Sequence, residues 1–369
     1  MRVLLLSAYA AQSHVHWRRS LEIMIPEWEW TVLELPPRYF SWRVRGNPLY
    51  WSRAEREALE RPYELVVATS MVDLATLRGL VPALAGVPAA LYFHENQFEY
   101  PRGRGRHSPL EAQMVSLYSA LAANGLVFNS AYNRDSFMQG CEALLARLPD
   151  KVPKGIVEEL RSFSTVLPVP LELQAFSSGR QWWPAREETD ALRLSWTGRF
   201  EYDKGGESLL EILRQLDRRG VDYQLALVGQ QFRDSPPVFD HISRDFGHRL
   251  VHYGYLESRD DYHSLLRGAD LVLSTARHEV QGLAVLEAVA AGCIPVVPDR
   301  LAYRELYGPE FRYRSRPEDT AGEASAAVEC VVHWQSAIRA GSATAPDVSA
   351  FSTDRLAPEY RARLQAVIG

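Results

Sequence analysis

The strongest chemical pattern in the sequence lies in residues 274–297, STARHEVQGLAVLEAVAAGCIPVV. Glu279 follows an apolar run, Gly282 opens a helical stretch, and Glu287 lies inside that stretch, with seven residues between the two carboxylates. Glu279 can accept hydrogen bonds from sugar hydroxyls, and Glu287 can bind both hydroxyls of a ribose. The first N–H groups of the helix can bind phosphate, and they belong to Gly282, Leu283 and Ala284. Either carboxylate alone would be an ordinary surface charge, but the combination predicts a nucleotide-sugar site.

A second pattern, TGRFEYDKGG at residues 197–206, places two cations where another apolar run ends. Arg199 comes directly after Gly198, and Lys204 precedes a helical stretch. Cations at such a position can neutralise a diphosphate, although surface cations in a solvated turn would give the same pattern. Gly229 follows a third apolar run, where a glycine either lets a ligand approach the backbone or simply makes a turn.

Polar residues also follow apolar runs in the first half of the sequence. Four of them are consecutive, and burying so many would be costly unless they were paired: His94, Glu95, Asn96 and Gln97. A lone histidine here would be an ordinary core residue, whereas four polar residues at one strand end favour a ligand-facing site. Other polar side chains follow the first and fifth apolar runs, and they are Ser13, His14, Asn129 and Asn133.

Arginines and aromatic residues alternate in two segments that we expect to be loops. Residues 35–51, LPPRYFSWRVRGNPLYW, contain Arg43 and Arg45, and the segment 93–107 contains Arg102 and Arg104. Arginines bind phosphate, and unpaired bases stack on aromatic rings and guanidinium planes, so these segments are typical of RNA binding. A solvated basic face over core aromatics, or a site for an anionic glycan or phospholipid, would show the same residues. No basic amphipathic helix is evident, so we expect no membrane partner.

The elements that must position these residues are apolar runs separated by helical stretches, which predicts an α/β protein with parallel sheets covered on both faces. The predicted strands are 3–7, 30–35, 64–69, 89–94, 125–130, 164–169, 192–198, 223–229, 249–254, 269–275 and 294–298. Predicted helices include 71–84, 109–123, one in 318–350 and one in 355–369. The segment 168–190 has the composition of a linker. We therefore expect domains at 1–175 and 190–350, and a C-terminal helix in 351–369 that packs back towards the first domain.

Length and composition exclude several classes of protein. The chain has 369 residues, of which 46% are hydrophobic and 24% charged, so it is not globally disordered. No apolar run could span a bilayer or form a signal-peptide core. The three cysteines have no disulfide or metal-ligand spacing, which fits a reducing cytoplasm. A net charge of -5 argues against a general nucleic-acid coat protein.

The pair Glu279–Glu287, with Gly-Arg and Lys-Gly-Gly upstream, resembles the retaining family-4 glycosyltransferases of the GT-B fold. The resemblance implies two doubly wound Rossmann-like domains facing across a cleft, a nucleoside-diphosphate sugar as donor and no required metal. It implies that Arg199 and Lys204 hold the diphosphate, that Glu279 contacts the sugar and that Glu287 contacts the ribose. It further implies donor contacts from five residues that we list here: Gly198, Gly229, Tyr255 (beside the base), Leu283 and Ala284.

The first half is similar to a narrower family, the tRNA-queuosine α-mannosyltransferases. The motifs that carry this resemblance are Ser13-His14, the arginines Arg43 and Arg45 after tryptophan, HENQ with a following YP, and FNS-x-x-N. The resemblance implies mannose transfer from GDP-mannose to queuosine at the wobble position of tRNA(Asp), with His94 supporting the transition state. It assigns to the acceptor the polar and basic residues Ser13, His14, Arg43, Arg45, Glu95, Asn96, Gln97, Asn129, Asn133, Arg102 and Arg104.

Two other functions are open on the sequence alone. One is a glycosyltransferase of the same fold that modifies a glycan, lipid or small molecule. The other is a non-catalytic RNA- or sugar-binding protein, which the intact pairs Glu279/Glu287 and Arg199/Lys204 argue against. No protein partner is implied, and the expected mechanism is a front-face displacement in which the leaving diphosphate is stabilised electrostatically.

Overall fold

The computed structural model describes residues 1–99, 109–173, 181–186, 190–232 and 234–369. The chain divides into two compact units, which are Met1–Pro170 with Phe351–Gly369, and Leu171–Ala350. Each unit is built on one parallel sheet of six strands. The predicted α/β class with two doubly wound sheets is therefore confirmed.

The sheet of the first unit consists of β1 (Arg2–Ser7), β2 (Glu29–Glu34), β3 (Leu65–Thr69), β4 (Ala89–Phe93), β5 (Gly125–Phe128) and β6 (Ser164–Val166). Its order is β2-β1-β3-β4-β5-β6, and every neighbouring pair is parallel. The strands β1, β3, β4 and β5 are almost entirely buried because helices cover both faces. The strand order reverses between β1 and β3, so a crevice opens there at the carboxyl ends of the strands.

The helices of the first unit, up to its last strand, are α1 (Gln12–Met24), α2 (Phe40–Ala54), α3 (Arg56–Leu59), α4 (Leu74–Leu80), α5 (Pro109–Leu121), α6 (Ala131–Leu145) and α7 (Ile156–Ser162). The predicted helix 71–84 is shorter in the structure. Asp73 caps α4 by accepting a hydrogen bond from the Thr76 N–H at 3.1 Å, and a short 3-10 helix follows at Pro82–Leu84. Side-chain capping of this kind fixes where a helix begins.

Arg43 and Arg45 lie on the helix α2, whereas the sequence analysis placed them in a loop. Gly46, Asn47 and Pro48 lie inside this helix, and they are the residue types that normally indicate a turn. Tertiary hydrogen bonds of Asn47 offset this unfavourable local sequence. Its side-chain N–H donates to the Met71 carbonyl at 3.2 Å, and its side-chain oxygen accepts from the Asp73 N–H at 3.3 Å. The helix therefore depends on partners from a different part of the chain.

The sheet of the second unit consists of β7 (Leu192–Thr197), β8 (Tyr223–Val228), β9 (Leu250–Gly254), β10 (Leu271–Leu273), β11 (Ile294–Pro298) and the unpredicted β12 (Arg312–Tyr313). Its order is β12-β11-β10-β7-β8-β9. The order reverses between β7 and β10, so the loops that follow these two strands border the crevice of this sheet. Its helices are α8 (Gly206–Arg218), α9 (Val238–Asp245), α10 (Arg259–Arg267), α11 (Leu283–Ala290), α12 (Tyr303–Leu306) and α13 (Thr320–Arg339).

The C-terminal helix α14 (Thr353–Ala366) belongs to the first unit. The hydroxyl of its buried Tyr360 accepts a hydrogen bond from the indole N–H of Trp17 at 3.1 Å and lies 3.1 Å from the hydroxyl of Tyr92. These contacts join three aromatic side chains from distant parts of the sequence, so they anchor α14 on α1 and β4.

The segment predicted as a linker has structure in its described part. Trp183 is 3% exposed, and its indole N–H donates to the Leu265 carbonyl at 2.8 Å. Residues 181–186 therefore pack on the second unit. No helix in the described parts of the chain is long and apolar enough to cross a membrane.

Candidate active site

In the second unit, hydrogen bonds tie the loop after β7 to the loop after β10. The strands are neighbours, with Trp196 opposite Leu273. The Trp196 indole N–H donates to the Thr275 hydroxyl at 3.0 Å, and that hydroxyl donates to the Lys204 carbonyl at 2.8 Å. The two segments that the sequence analysis singled out are thus held side by side.

Lys204 and Glu279 form an ion pair across these loops. The Lys204 ammonium lies 3.1 Å from Glu279 Oε2, 3.4 Å from Asp203 Oδ2 and 3.1 Å from the His278 carbonyl. Burial by itself would lower the pKa of Lys204, but the carboxylates of Glu279 and Asp203 outweigh it and raise that pKa. Burial would likewise raise the pKa of Glu279, but Lys204 outweighs burial and lowers it. Both groups are therefore charged at neutral pH.

Glu279 also fixes the start of α11. Its Oε1 accepts a hydrogen bond from the Gly282 N–H at 3.1 Å. Gly282 has φ of 73°, and a Cβ there would lie 2.9 Å from the ring of Tyr303, so only glycine fits without strain. The Glu279 carboxylate thereby joins the Lys204 ammonium to the helix terminus where Leu283 and Ala284 begin α11.

Glu287 lies inside α11 and has partners on α10. Its carboxylate accepts a hydrogen bond from the Tyr262 hydroxyl at 3.1 Å and lies 4.0 Å from the Arg259 guanidinium. Burial raises the pKa of Glu287. The sequence analysis missed Tyr262 and Arg259, because their relation to Glu287 exists only once α10 and α11 pack together.

The other predicted donor residues lie at the carboxyl ends of β7, β8 and β9. Arg199 pairs with Glu201 at 3.0 Å and has a side chain that is 42% exposed. Gly198 and Gly229 are in close backbone contact, since a Cβ at Gly229 would lie only 1.8 Å from the Gly198 carbonyl oxygen. Tyr255 follows β9 and is 42% exposed. Gly229 thus has a packing role that accounts for the residue type at this position.

In the first unit, His94 follows β4 and is 4% exposed. The His14 ring stacks on it, with centroids 3.9 Å apart and planes 16° apart. Trp17 and Tyr92 complete the aromatic surroundings, with centroids 5.0 Å and 4.7 Å from that of His94. Glu95 Oε2 lies 3.3 Å from His14 Nε2. The Ser-His motif and the HENQ motif therefore come together.

The surroundings of His94 favour its neutral imidazole. Burial, and then the neighbouring His14 and His16, hold its pKa well below the ordinary value of a histidine. Its Nε2 atom is buried and has no hydrogen-bond partner among the described residues. A buried polar atom without a partner is costly, and such atoms are often found at binding sites.

Three predicted acceptor residues, Asn96, Asn129 and Asn133, form a buried network. The Asn133 amide donates to Asn129 Oδ1 at 2.8 Å and to the Phe93 carbonyl at 3.0 Å. The Asn96 amide donates to Asn133 Oδ1 at 2.8 Å, and the Asn129 amide donates to the His94 carbonyl at 2.8 Å. These amides hold the end of β4, and with it the backbone of His94.

The remaining predicted acceptor residues are spread over several elements. Ser13 is half-buried on α1. The Gln97 amide lies 3.6 Å from the Met71 sulfur. On α2, the Arg43 guanidinium donates to the Pro36 carbonyl at 3.3 Å, and Arg45 pairs with Asp73 at 2.6 Å. Arg102 and Arg104 lie outside the described residues. No group of three metal-binding side chains occurs in the described ranges.

Comparison with known proteins assigns the two halves separately. Residues 2–171 match the family described as tRNA-queuosine alpha-mannosyltransferase N-terminal, and residues 185–333 match glycosyl transferases group 1. The tRNA-queuosine alpha-mannosyltransferase of Drosophila melanogaster is 33% identical over 288 residues, which cover 77% of this chain and 76% of that protein. This chain belongs to the tRNA-queuosine α-mannosyltransferase family.

More distant similarities agree with the glycosyltransferase assignment of this family member. A GDP-mannose-dependent phosphatidylinositol dimannoside mannosyltransferase of Mycobacterium tuberculosis (strain ATCC 25177 / H37Ra) is 26% identical over 147 residues, 39% of this chain and 37% of that protein. Anabaena HepE, solved with UDP-glucose, superposes with a TM-score of 0.69 at 15% identity, covering 99% of this chain and 100% of that chain. The chain is a glycosyltransferase of the GT-B fold.

Proposed function

We propose that the protein transfers mannose from GDP-mannose to queuosine at the wobble position of tRNA(Asp), with retention at the anomeric carbon. The observation that carries this proposal is the similarity to the Drosophila tRNA-queuosine alpha-mannosyltransferase, which extends over 77% of the chain. The mycobacterial relative is named as GDP-mannose-dependent, which supports this donor. A tRNA acceptor is consistent with a cytoplasmic reaction.

The second unit would bind the donor. Lys204 and Arg199 would neutralise the diphosphate, together with the N–H groups at the start of α11. Glu279 would release one of its two present contacts to accept a hydrogen bond from the mannose, and Glu287 would hold the ribose. Gly198 and Gly229 would let the nucleotide approach the backbone, with Tyr255 beside the base. These assignments need no metal or other cofactor, because protein cations would balance the diphosphate charge.

The reaction that we propose is a front-face displacement. The bond between the anomeric carbon of mannose and the diphosphate oxygen breaks, and the queuosine hydroxyl oxygen bonds to that carbon from the same face. The hydroxyl proton passes to the departing phosphate oxygen, so GDP leaves with the proton. Lys204 would contribute most by stabilising the charge that develops on the diphosphate, since an electrostatic group fixed before the reaction lowers the barrier.

The first unit would supply His94 and the acceptor contacts. A neutral imidazole with an unpartnered Nε2 can exchange a hydrogen bond with a hydroxyl without placing a cation beside the positive charge that develops on the sugar. Glu95, Gln97 and Ser13 are only partly buried and would contact the acceptor. The amides of Asn96, Asn129 and Asn133 would contribute indirectly, by fixing the strand end.

A transfer assay tests the proposed function. The purified chain is incubated with GDP-mannose and queuosine-containing tRNA, and the RNA is digested to nucleosides for mass spectrometry. We expect queuosine to gain the mass of one hexose. The variant Lys204→Gln should abolish the product, while Lys154→Gln, a substitution of an exposed lysine, should retain it.

Two outcomes would separate the donor from the acceptor. Turnover of GDP-mannose without any modified queuosine would reject the tRNA acceptor and favour a glycan, lipid or small-molecule acceptor. Modified queuosine with another sugar nucleotide, but not with GDP-mannose, would reject the donor alone.

A further inference from the structure

The helix α2, with the residue before it, carries an exposed aromatic surface. Large apolar side chains on this surface are widely accessible, with exposures of 72% for Tyr39, 52% for Trp42, 54% for Leu49 and 47% for Tyr50. We call these four residues the α2 face. In the described part of the first unit, no contact requires a tryptophan and two tyrosines at these solvent-facing positions, and exposed apolar clusters commonly mark interaction sites.

The indole of Trp42 is held flat against its own helix. A Cβ at Gly46 would lie 2.4 Å from Trp42 Cε2 and 2.6 Å from Cζ2, so the ring occupies the space that any other side chain at position 46 would fill. Glycine is unfavourable inside a helix. Here it allows the helix backbone to support one side of the indole while about half of the side chain stays accessible.

Tyr39, the residue before α2, has an unusual backbone conformation. It has φ of 56° and ψ of 53°, the left-handed region, which is rare for a bulky residue. The conformation turns the chain into α2 and leaves the Tyr39 ring exposed, with the Arg38 guanidinium 5.8 Å from the ring centroid. Strained residues of this kind concentrate at functional sites.

The segment that carries the α2 face has only basic charged residues. No acidic residue occurs between Arg38 and Ala54, while four arginines do: Arg38, Arg43, Arg45 and Arg53. Arg45 is held by Asp73 at 2.6 Å and Glu111 at 3.2 Å, and the Arg43 guanidinium donates to the Pro36 carbonyl. These guanidinium groups are therefore partly ordered before any partner binds, which lowers the entropy cost of binding.

We propose that the α2 face binds the single-stranded loop of an RNA, with unpaired bases stacked on Trp42 and Tyr39 and phosphates beside the arginines. Stacking of bases on aromatic rings and ion pairing with phosphate are two of the main contacts by which proteins bind single-stranded RNA. Tryptophan, tyrosine and arginine also suit a membrane interface, but the similarity to a tRNA-queuosine alpha-mannosyltransferase favours RNA. The inference rests on the proposed function and specifies where the acceptor docks.

Binding of a fluorescently labelled, queuosine-containing anticodon stem-loop to the full chain tests this inference. We expect Trp42→Ala to raise the Kd for the stem-loop at least tenfold, since stacking of one base contributes about that much. Trp42→Phe should retain most of the affinity. Gly46→Ala should also weaken binding, because the new methyl group displaces the indole. Ile23→Ala, which removes another exposed apolar side chain of the first unit, should have no effect.

Trp42→Ala and Gly46→Ala should raise the KM for the RNA without changing the KM for the donor. Unchanged RNA affinity in both Trp42→Ala and Gly46→Ala, in chains that unfold at the wild-type temperature and transfer mannose, would overturn this inference alone. Weaker binding to vesicles of anionic lipid, with RNA affinity unchanged, would overturn it in favour of a membrane surface. A wild-type chain that neither binds the stem-loop nor modifies it would overturn both this inference and the proposed function.

Discussion

The Lys204 ammonium and the Glu279 carboxylate lie 3.1 Å apart, although 75 positions separate the two residues in the sequence. The pair joins the loops after β7 and β10, which are the loops at the point where the strand order of the second sheet reverses. The other carboxylate oxygen of Glu279 accepts a hydrogen bond from the Gly282 N–H at the start of α11. One ion pair thus fixes the distance between the cation and the helix terminus that we assign to the diphosphate.

Replacing either member of this pair should destabilise the protein. Lys204→Met should lower the free energy of unfolding by about 3 kcal/mol, because it leaves the Glu279 carboxylate without its cation in a largely buried site. The double variant Lys204→Met with Glu279→Gln should be more stable than the single variant and should remain inactive. Urea denaturation and the mannose-transfer assay measure both effects. If the losses of stability in Lys204→Met and in Glu279→Gln added up to the loss in the double variant, the two residues would not be coupled.

A methyl group at Gly229 should disrupt the donor site. Because its Cβ would lie 1.8 Å from the Gly198 carbonyl oxygen, Gly229→Ala must push the two strand ends apart. We expect GDP affinity to fall at least tenfold and stability to fall by about 1–3 kcal/mol. Gly247→Ala is the matched control, since a Cβ there meets nothing within 4 Å. Calorimetric titration with GDP would contradict the prediction if the two variants bound equally well.

The hydrogen-bonded network of Asn96, Asn129 and Asn133 should contribute to the free energy of unfolding. Asn133→Ala removes three hydrogen bonds from a buried network, those with Asn96, Asn129 and the Phe93 carbonyl. We expect a loss of about 2–3 kcal/mol, since each buried hydrogen bond contributes about 1 kcal/mol. Asn124→Ala removes one part-buried hydrogen bond, in which the Ala89 N–H donates to the side chain of an exposed residue, and it should cost clearly less. Thermal unfolding of the two variants tests this difference.

Stability should fall at acidic pH because of His94. Its pKa lies well below 6.5 in the folded protein, so the unfolded chain takes up a proton near pH 6.5 that the folded chain does not. The free energy of unfolding should therefore decrease as the pH falls below 6.5, by up to about 1.4 kcal/mol per pH unit from this residue. His94→Phe should show a shallower decrease than the wild type between pH 6.5 and 5. Parallel curves would contradict the assignment.

The sequence indicated most strands and both loops of the donor site. Continuous apolar runs identify buried parallel strands, and the patterns around Arg199, Lys204, Glu279 and Glu287 follow those runs. It did not identify α2, because Gly46 and Pro48 indicate a turn when tertiary hydrogen bonds to Asn47 are unknown. Nor did it identify β12, which has only two residues and pairs with β11 alone.

Residue types and their order along the chain therefore determined the fold class and the chemical groups available, because local periodicity and strand-end position are properties of the sequence itself. The tertiary structure decided which of those groups meet. In it, Lys204 pairs with Glu279 and His14 stacks on His94. The side-chain amides of Asn96, Asn129 and Asn133, which we predicted to contact the acceptor, hydrogen-bond to one another. Such contacts depend on how strands are ordered in a sheet and which helices cover them, and residues far apart in sequence carry no local signal of that arrangement.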